Sequence, residues 1–134
     1  MAEDIKMNAF PVATDVAHVY IERVDGSQGK IETAKFRENN GIFRFYGNIK
    51  ADSSMELPFQ SGLIIVQNAS AVHEKACAII DSSGSGSILV AQSYINFFSE
   101  VSNRINILNT GENANYIVKN TFSSDRTISI IFIG

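Results

Sequence analysis

An all-β fold, an antiparallel β-sandwich of jelly-roll type preceded by a short N-terminal β-hairpin, is what this sequence predicts on three observations. The last seven residues, Ile128 to Gly134, read Ile-Ser-Ile-Ile-Phe-Ile-Gly and form an apolar strand. From Gly41 onward, short β-type segments follow one another with no run of helical period among them. Clusters of Gly, Ser, Asn and Asp punctuate those segments at the regular spacing of an antiparallel two-sheet body.

The elements follow in order. Met1 to Asn8 is polar and predicts a loose lead. Ala17 to Val24 alternates, with Val19, Ile21 and Arg23 on one side, so it reads as a strand. Asp25-Gly26-Ser27 is a turn whose Gly tolerates positive φ, and Lys30 to Thr33 resumes the extended pattern, so residues 17–33 form a hairpin. Thr33 to Arg37 reads as a helical turn. Glu38-Asn39-Asn40-Gly41 marks the domain boundary, dividing the chain into a segment 1–40 and a β body 41–134. The body holds eight strand candidates at 42–50, 54–58, 62–68, 74–81, 87–92, 104–109, 115–121 and 126–133. Gly47 predicts a bulge in the first, Pro58 an edge, and Ser82 to Gly86 and Asn109 to Asn113 the turns between strands. Tyr94 to Phe98 is either a ninth strand or a loop wall.

Several strands are apolar on both faces: Leu63-Ile64-Ile65-Val66, Ile88-Leu89-Val90 and the last one, where Ile128, Ile130 and Phe132 face one way and Ile131 and Ile133 the other. One core inside one subunit covers only one of those faces. Bare apolar patches of that size are more than a soluble monomer exposes, so a closed homo-oligomer is expected, with Ile64, Val66, Ile131 and Ile133 at its interface.

Composition narrows the function. Of 134 residues, 45% are hydrophobic and only 19% charged, below the roughly 25% of ordinary soluble domains, which favours contact with other protein. The net charge of −3 is spread evenly: residues 1–40 hold five Lys or Arg against seven acids, and residues 41–134 hold six against seven. Without a basic field, nucleic acid is not an expected partner. No stretch approaches the ~18 apolar residues of a membrane helix, and no basic, then apolar, leader is visible, so synthesis in a cytoplasm without membrane insertion is expected. Cys77 stands alone in an apolar run, which rules out an internal disulfide framework, and reads as core filler. Asn68-Ala69-Ser70 matches the glycosylation triplet by chance.

The chemical inventory is thin. Two His, one Cys and no Gly-x-Ser-x-Gly sequence give no nucleophilic triad, so the expectation is a protein that is not an enzyme, with no catalytic residues. His73 and Glu74 alternate to opposite faces and His18 is far away in sequence, so neither metal nor cofactor is expected. Asp81 to Gly86 has one carboxylate, too few for a hard cation, and Gly84-Ser85-Gly86 lacks the Lys and helix of a phosphate loop. Binding remains. Phe43, Phe45, Tyr46, Tyr94, Phe97, Phe98 and Tyr116 are the candidate aromatics, most of them expected in the core.

Two stretches carry a resemblance. Phe10-Pro11-Val12-Ala13-Thr14-Asp15-Val16-Ala17-His18-Val19-Tyr20-Ile21-Glu22, followed by Asp25-Gly26-Ser27-Gln28 and Lys30-Ile31, resembles the short segment that opens many structural proteins of tailed bacteriophages of gut bacteria. Asn115 to Asn120 and Arg126 to Gly134 are similar to the closing hairpin of trimeric phage fibre head domains. The resemblance covers about a third of the chain. It implies a virion protein made in the host cytoplasm: a short trimeric head or tail fibre or appendage for host-surface attachment. Phe10, Pro11, Val19, Tyr20 and Ile21 would then anchor it to other virion proteins (capsid, portal or tail). Loops with Ser83, Ser85, Asn109 and Asn113 would meet a host cell-surface glycan or protein. Many fibres place a long shaft between anchor and head, whereas here Asn39-Asn40 leads at once into the β body. Alternatives are a capsid-decoration protein that binds no receptor and a monomeric carbohydrate-binding module.

Overall fold

Residues 17–71 and 73–134 are described by a computed structural model, and strands are their predominant regular structure, with one short helix. The chain divides into two compact units, Met1–Asn40 and Gly41–Gly134.

In the first unit, β1 (His18–Glu22) and β2 (Gln28–Glu32) pair antiparallel with Val19 opposite Ile31. The turn is held by the Asp25 carboxylate, which accepts hydrogen bonds from the Ser27 amide at 2.9 Å and its hydroxyl at 2.6 Å, while Gly26 takes φ +82°. These bonds hold the Asp25 carboxyl below the usual range, the Ser27 hydroxyl being the larger cause. The seven-residue helix α1 (Thr33–Asn39) follows. Val19, Ile21 and Ile31 are half-buried, and no described side chain of this unit is fully buried. A two-stranded hairpin of that kind is marginal in water.

The second unit contains β3 (Ile42–Ile49), β4 (Ser54–Glu56), β5 (Gly62–Asn68), β6 (Lys75–Ile80), β7 (Gly86–Val90), β8 (Ile95–Phe97), β9 (Ile105–Asn109), β10 (Tyr116–Asn120) and β11 (Arg126–Ile133). They form a five-stranded antiparallel sheet in the order β3-β11-β5-β6-β7 and a four-stranded sheet in the order β4-β10-β9-β8. The pairing of β8 with β9 is parallel. Three strands of the five-stranded sheet, β5, β6 and β7, are successive neighbours and form a meander, which departs from the interleaved order of a jelly roll, while β11 is inserted between β3 and β5.

Alternation decides the core. On β11, between β3 and β5, Ile128 and Ile130 are fully buried and Phe132 nearly so. Ile64 and Val66 of β5, Ala76, Ala78 and Ile80 of β6, and Ile105, Ile107, Tyr116 and Val118 of the other sheet join the same cluster. Each fully buried branched aliphatic contributes about 1.5–3 kcal/mol. Phe59, in the segment after β4, stacks on Phe132 with centroids 3.7 Å apart and planes 3° from parallel, and meets Phe43 edge-on at 5.6 Å.

Three sequence expectations change and one open alternative is decided. Gly47 is not at a bulge: it pairs in register with Ile128, and a Cβ there would be 2.9 Å from the Phe45 ring, so the Gly leaves room for that ring. Cys77 is no core filler, since Ala76 and Ala78 take the inward positions and leave Cys77 half-buried on the outer face. Ile64 and Val66 are wholly inside their own subunit and reach no partner; the outward residue between them is Ile65. Tyr94 to Phe98 contains the ninth strand of the unit, β8.

The link from β8 back to the start of parallel β9 is short, and Asn106 makes it possible. Its fully buried amide accepts from the Val101 N–H at 2.9 Å and donates to the Val101 carbonyl at 3.1 Å and to Thr121 Oγ1 at 3.1 Å. Phe98 and Asn103 reverse the backbone at φ +71° and +56°. Asn68 is also fully buried, donating to Glu74 Oε2 at 2.5 Å and accepting from the Ser70 amide, so the glycosylation triplet's amide is already engaged.

Gly86 is at φ +150°, and a Cβ there would meet the Ile79 carbonyl oxygen at 2.0 Å, whereas Gly111 has open space. Gly86→Ala is therefore expected to cost about 3 kcal/mol or more and Gly111→Ala to stay within about 0.5 kcal/mol, as read by urea unfolding. Ile130→Ala, which hollows the core on β11, is expected to cost about 2–5 kcal/mol in the same assay.

Candidate functional site

The predicted contact loops come together at one end of the second unit. Gly41 leads into β3 at this end, and the Gly134 amide donates back to the Gly41 carbonyl at 2.9 Å. The Asn113 amide donates to the Ser82 carbonyl at 2.9 Å, and Asn113 adopts φ +58°. The Asn109 amide side chain closes its own turn, accepting from Gly111 N–H at 2.6 Å and donating to the Ala114 carbonyl at 2.9 Å. The Asp81 carboxylate organises the other loop, accepting from the amide and hydroxyl of Ser83 and from the amide and hydroxyl of Ser85. Chiefly the Ser83 hydroxyl, then that of Ser85, holds the Asp81 carboxyl below its usual range. The Tyr116 hydroxyl donates to the Asp81 carbonyl at 2.7 Å, and burial, with Asp81's charge adding, pushes that phenol up. The polar groups of these loops are largely consumed in shaping them.

The expected anchor residues divide. Phe10 and Pro11 lie outside the described residues. Val19 and Ile21 share the half-buried face of β1, and Tyr20 on the opposite face is 85% exposed.

The expected interface residues divide as well. Ile64 and Val66 are interior, but Ile131 is half-buried and Ile133 is 50% exposed on the outer face of the five-stranded sheet. Register assembles their neighbours: Ile131 opposes Ile65, which opposes Cys77, which opposes Val90, while Ile133 opposes Leu63, which opposes Ile79. Ile65, Ile79 and Val90 are all more than a third exposed. The result is an apolar face on a sheet whose edge strand β7, reading Gly-Ser-Ile-Leu-Val, is exposed along its whole length with no charge on it.

The opposite end holds a group that motif reading passed over. There the loops after β3, β5 and β10 are stitched together: Ala51 N–H donates to Asp125 Oδ1 at 3.0 Å, Ala69 N–H to the Thr127 carbonyl at 2.8 Å, and Asn120 Nδ2 to the Ile49 carbonyl at 2.9 Å. The loop before β9 joins them through Asn103 N–H to the Thr121 carbonyl at 3.3 Å. On this frame the Arg126 guanidinium lies over the Phe122 ring at 4.0 Å, Phe122 and Tyr94 are 6.2 Å apart, and the Arg104 guanidinium lies over Tyr94 at 5.4 Å. The Nε of Arg126 is buried without a hydrogen-bond partner, which costs about 1–3 kcal/mol. The four residues are scattered over more than thirty positions, so only the pairing of β8 with β9 and the turn after β10 bring them together.

Among the described residues no three His, Cys, Asp or Glu side chains gather as for a metal ion, and no helix is long and apolar enough to cross a membrane. His18 and His73 are both exposed.

Asp81 stabilises its loop as an anion: the contribution is complete above its ordinary pKa of about 3.9 and is lost as pH falls through the lower folded value. In an NMR titration the Ser83 and Ser85 amide signals are expected to move with a midpoint below the ordinary value; a midpoint at or above it contradicts the geometry. Asn106→Ala strands the Val101 N–H, while Thr121 Oγ1 still donates to the Val101 carbonyl at 2.6 Å, so a loss of about 1–3 kcal/mol is expected, with faster amide exchange at Val101. No protein family matches the chain, and neither a curated protein nor a solved structure is significantly similar to it.

Proposed function

We propose that this chain is a structural protein of a bacteriophage virion: a short appendage whose second unit is a β-sandwich that associates as a homotrimer and presents a surface to the host cell. The first unit attaches it to the capsid, portal or tail. The observation that carries the reading is the apolar outer face of the five-stranded sheet, with Ile65, Ile79, Ile131, Ile133 and Val90 in facing register. Such a face, on the order of several hundred Å², is at the upper limit of what soluble monomers expose, and a second copy is the cover that is always present when the chain is made.

Two further features support it. The exposed edge strand β7 carries neither charge nor Pro, its one irregularity being the register shift against Cys77 and Ala78, and a neighbouring subunit would cover it. The first unit, with no fully buried described side chain, is an element that gains stability by docking elsewhere, which suits an attachment segment. The resemblance of both chain ends to phage structural proteins gives the assembly its setting, and multiple copies multiply weak contacts to a cell surface.

The native protein is expected to have about three times the 14.7 kDa chain mass by light scattering on a sizing column. A single-chain mass overturns the proposal. The paired change Ile65→Asp and Ile133→Asp, at two outward positions, is expected to disperse the particle while leaving the strand signal in circular dichroism intact. Antibody labelling of virions separates the settings: tail label fits attachment, and capsid label without loss of host binding on deletion fits decoration.

A further inference from the structure

We propose that the end of the second unit opposite Gly41 is a binding site for an acidic polysaccharide, with Tyr94 the platform for a sugar ring and Arg104 the fork for its anionic group. The site deepens the attachment reading and rests on it for its biological role, but its chemistry is complete within one copy.

Tyr94 is 44% exposed, and the Tyr94 ring is steadied on one side by Phe122 at 6.2 Å. The apolar face of a pyranose packs on such a ring as any apolar surface does, while its hydroxyls stay in water. Half-exposed Arg104 lies over the same ring at 5.4 Å and spends an Nη1 hydrogen on the Asn103 carbonyl at 2.7 Å, which steadies its head and leaves further guanidinium donors for a ligand. A planar guanidinium held in this way takes a carboxylate or sulfate by two parallel hydrogen bonds. A second cation, Arg126, is stacked on Phe122 at 4.0 Å and adds to the field.

Neither arginine has a carboxylate partner among the described residues. The acid nearest in sequence, Asp125, is turned away to accept the Ala51 amide at 3.0 Å. Glu100 is taken by Lys119, 2.8 Å away. Two unpaired cations alternating with two aromatic rings on a chain of net charge −3 make a local anion site and not a general basic field. A nucleic-acid backbone would require such a field.

The test is calorimetric titration of the full chain with polygalacturonate, dextran sulfate, uncharged dextran and a single-stranded DNA oligonucleotide. Binding of either acidic polysaccharide is expected, weakening as salt rises, with none to dextran; the ratio of the two acidic polymers tells which anionic group the fork takes. Arg104→Gln and Tyr94→Ala are each expected to lower affinity at least about tenfold, and Arg104→Lys, which keeps the charge and loses the fork, by an intermediate factor. Particle mass and circular dichroism should be unchanged in all three variants. The proposal is overturned if neither acidic polymer binds, if dextran binds equally, if Arg104→Gln binds as tightly as the parent, or if DNA binds more tightly than both polysaccharides. A single-chain mass with polysaccharide binding intact would sink the trimer and leave this site standing; a trimer that binds no acidic polymer would do the reverse.

Discussion

Clamping of β11 between β3 and β5 is the constraint on which the rest of the second unit depends. The final strand has eight residues, and its partners on both sides are fixed over nearly its whole length. Because side chains alternate strictly along a strand, placing Ile128, Ile130 and Phe132 inward commits Ile131 and Ile133 outward. The same commitment propagates through the ladder to Ile65 on β5 and Cys77 on β6. The apolar exterior is thus a consequence of how the interior was filled. A slip of one residue on β11 would exchange the two faces and bury Ser129 in place of Ile130.

Polar hubs do for the loops what β11 does for the sheets. Asn106, Asn120 and Asn68 are each fully buried, and each spends its amide on backbone groups or a neighbouring side chain that would otherwise be unpaired. Asn120 accepts from the Phe122 amide and donates to the carbonyls of Ile49 and Ser124, which turns the chain after β10 and presents the Phe122 ring to Arg126. Asn106 imitates a neighbouring strand for Val101 and so brings the chain back to Arg104. The two ends of the sheets consequently differ. One is a pair of loops largely satisfied from within, one of them around Asp81, and the other exposes the Tyr94 ring beside Arg104 on a base of buried Phe122.

That contrast also separates the loops that merely attract notice in a sequence from those with chemistry left over. Ser83, Ser85, Asn109 and Asn113 stand out as polar residues between strands, but the two hydroxyls go to Asp81, the Asn109 side chain to Gly111 and Ala114, and the Asn113 N–H to the Ser82 carbonyl. Arg104 and Tyr94 have no motif around them, yet Arg104 keeps donors beyond its bond to Asn103 and Tyr94 keeps ring surface exposed.

The sequence by itself determined the strand-rich character, the hairpin at 17–33, the turn positions and the inward set on β11, because alternation and turn chemistry are local properties that a few neighbouring residues decide. It also determined that apolar surface would be left over. Which face of β5 was left over was not legible: Leu63-Ile64-Ile65-Val66 is apolar at every position, so only pairing with β11 and β6 selects Ile64 and Val66 as interior. The meander of β5, β6 and β7 and the parallel pairing of β8 with β9 were likewise decided by tertiary structure, since strand order depends on long-range contacts that carry no local signature. The ladder of Arg126, Phe122, Tyr94 and Arg104 belongs to the same class: four residues unremarkable in sequence become one cluster only after β8, β9, β10 and β11 have found their partners.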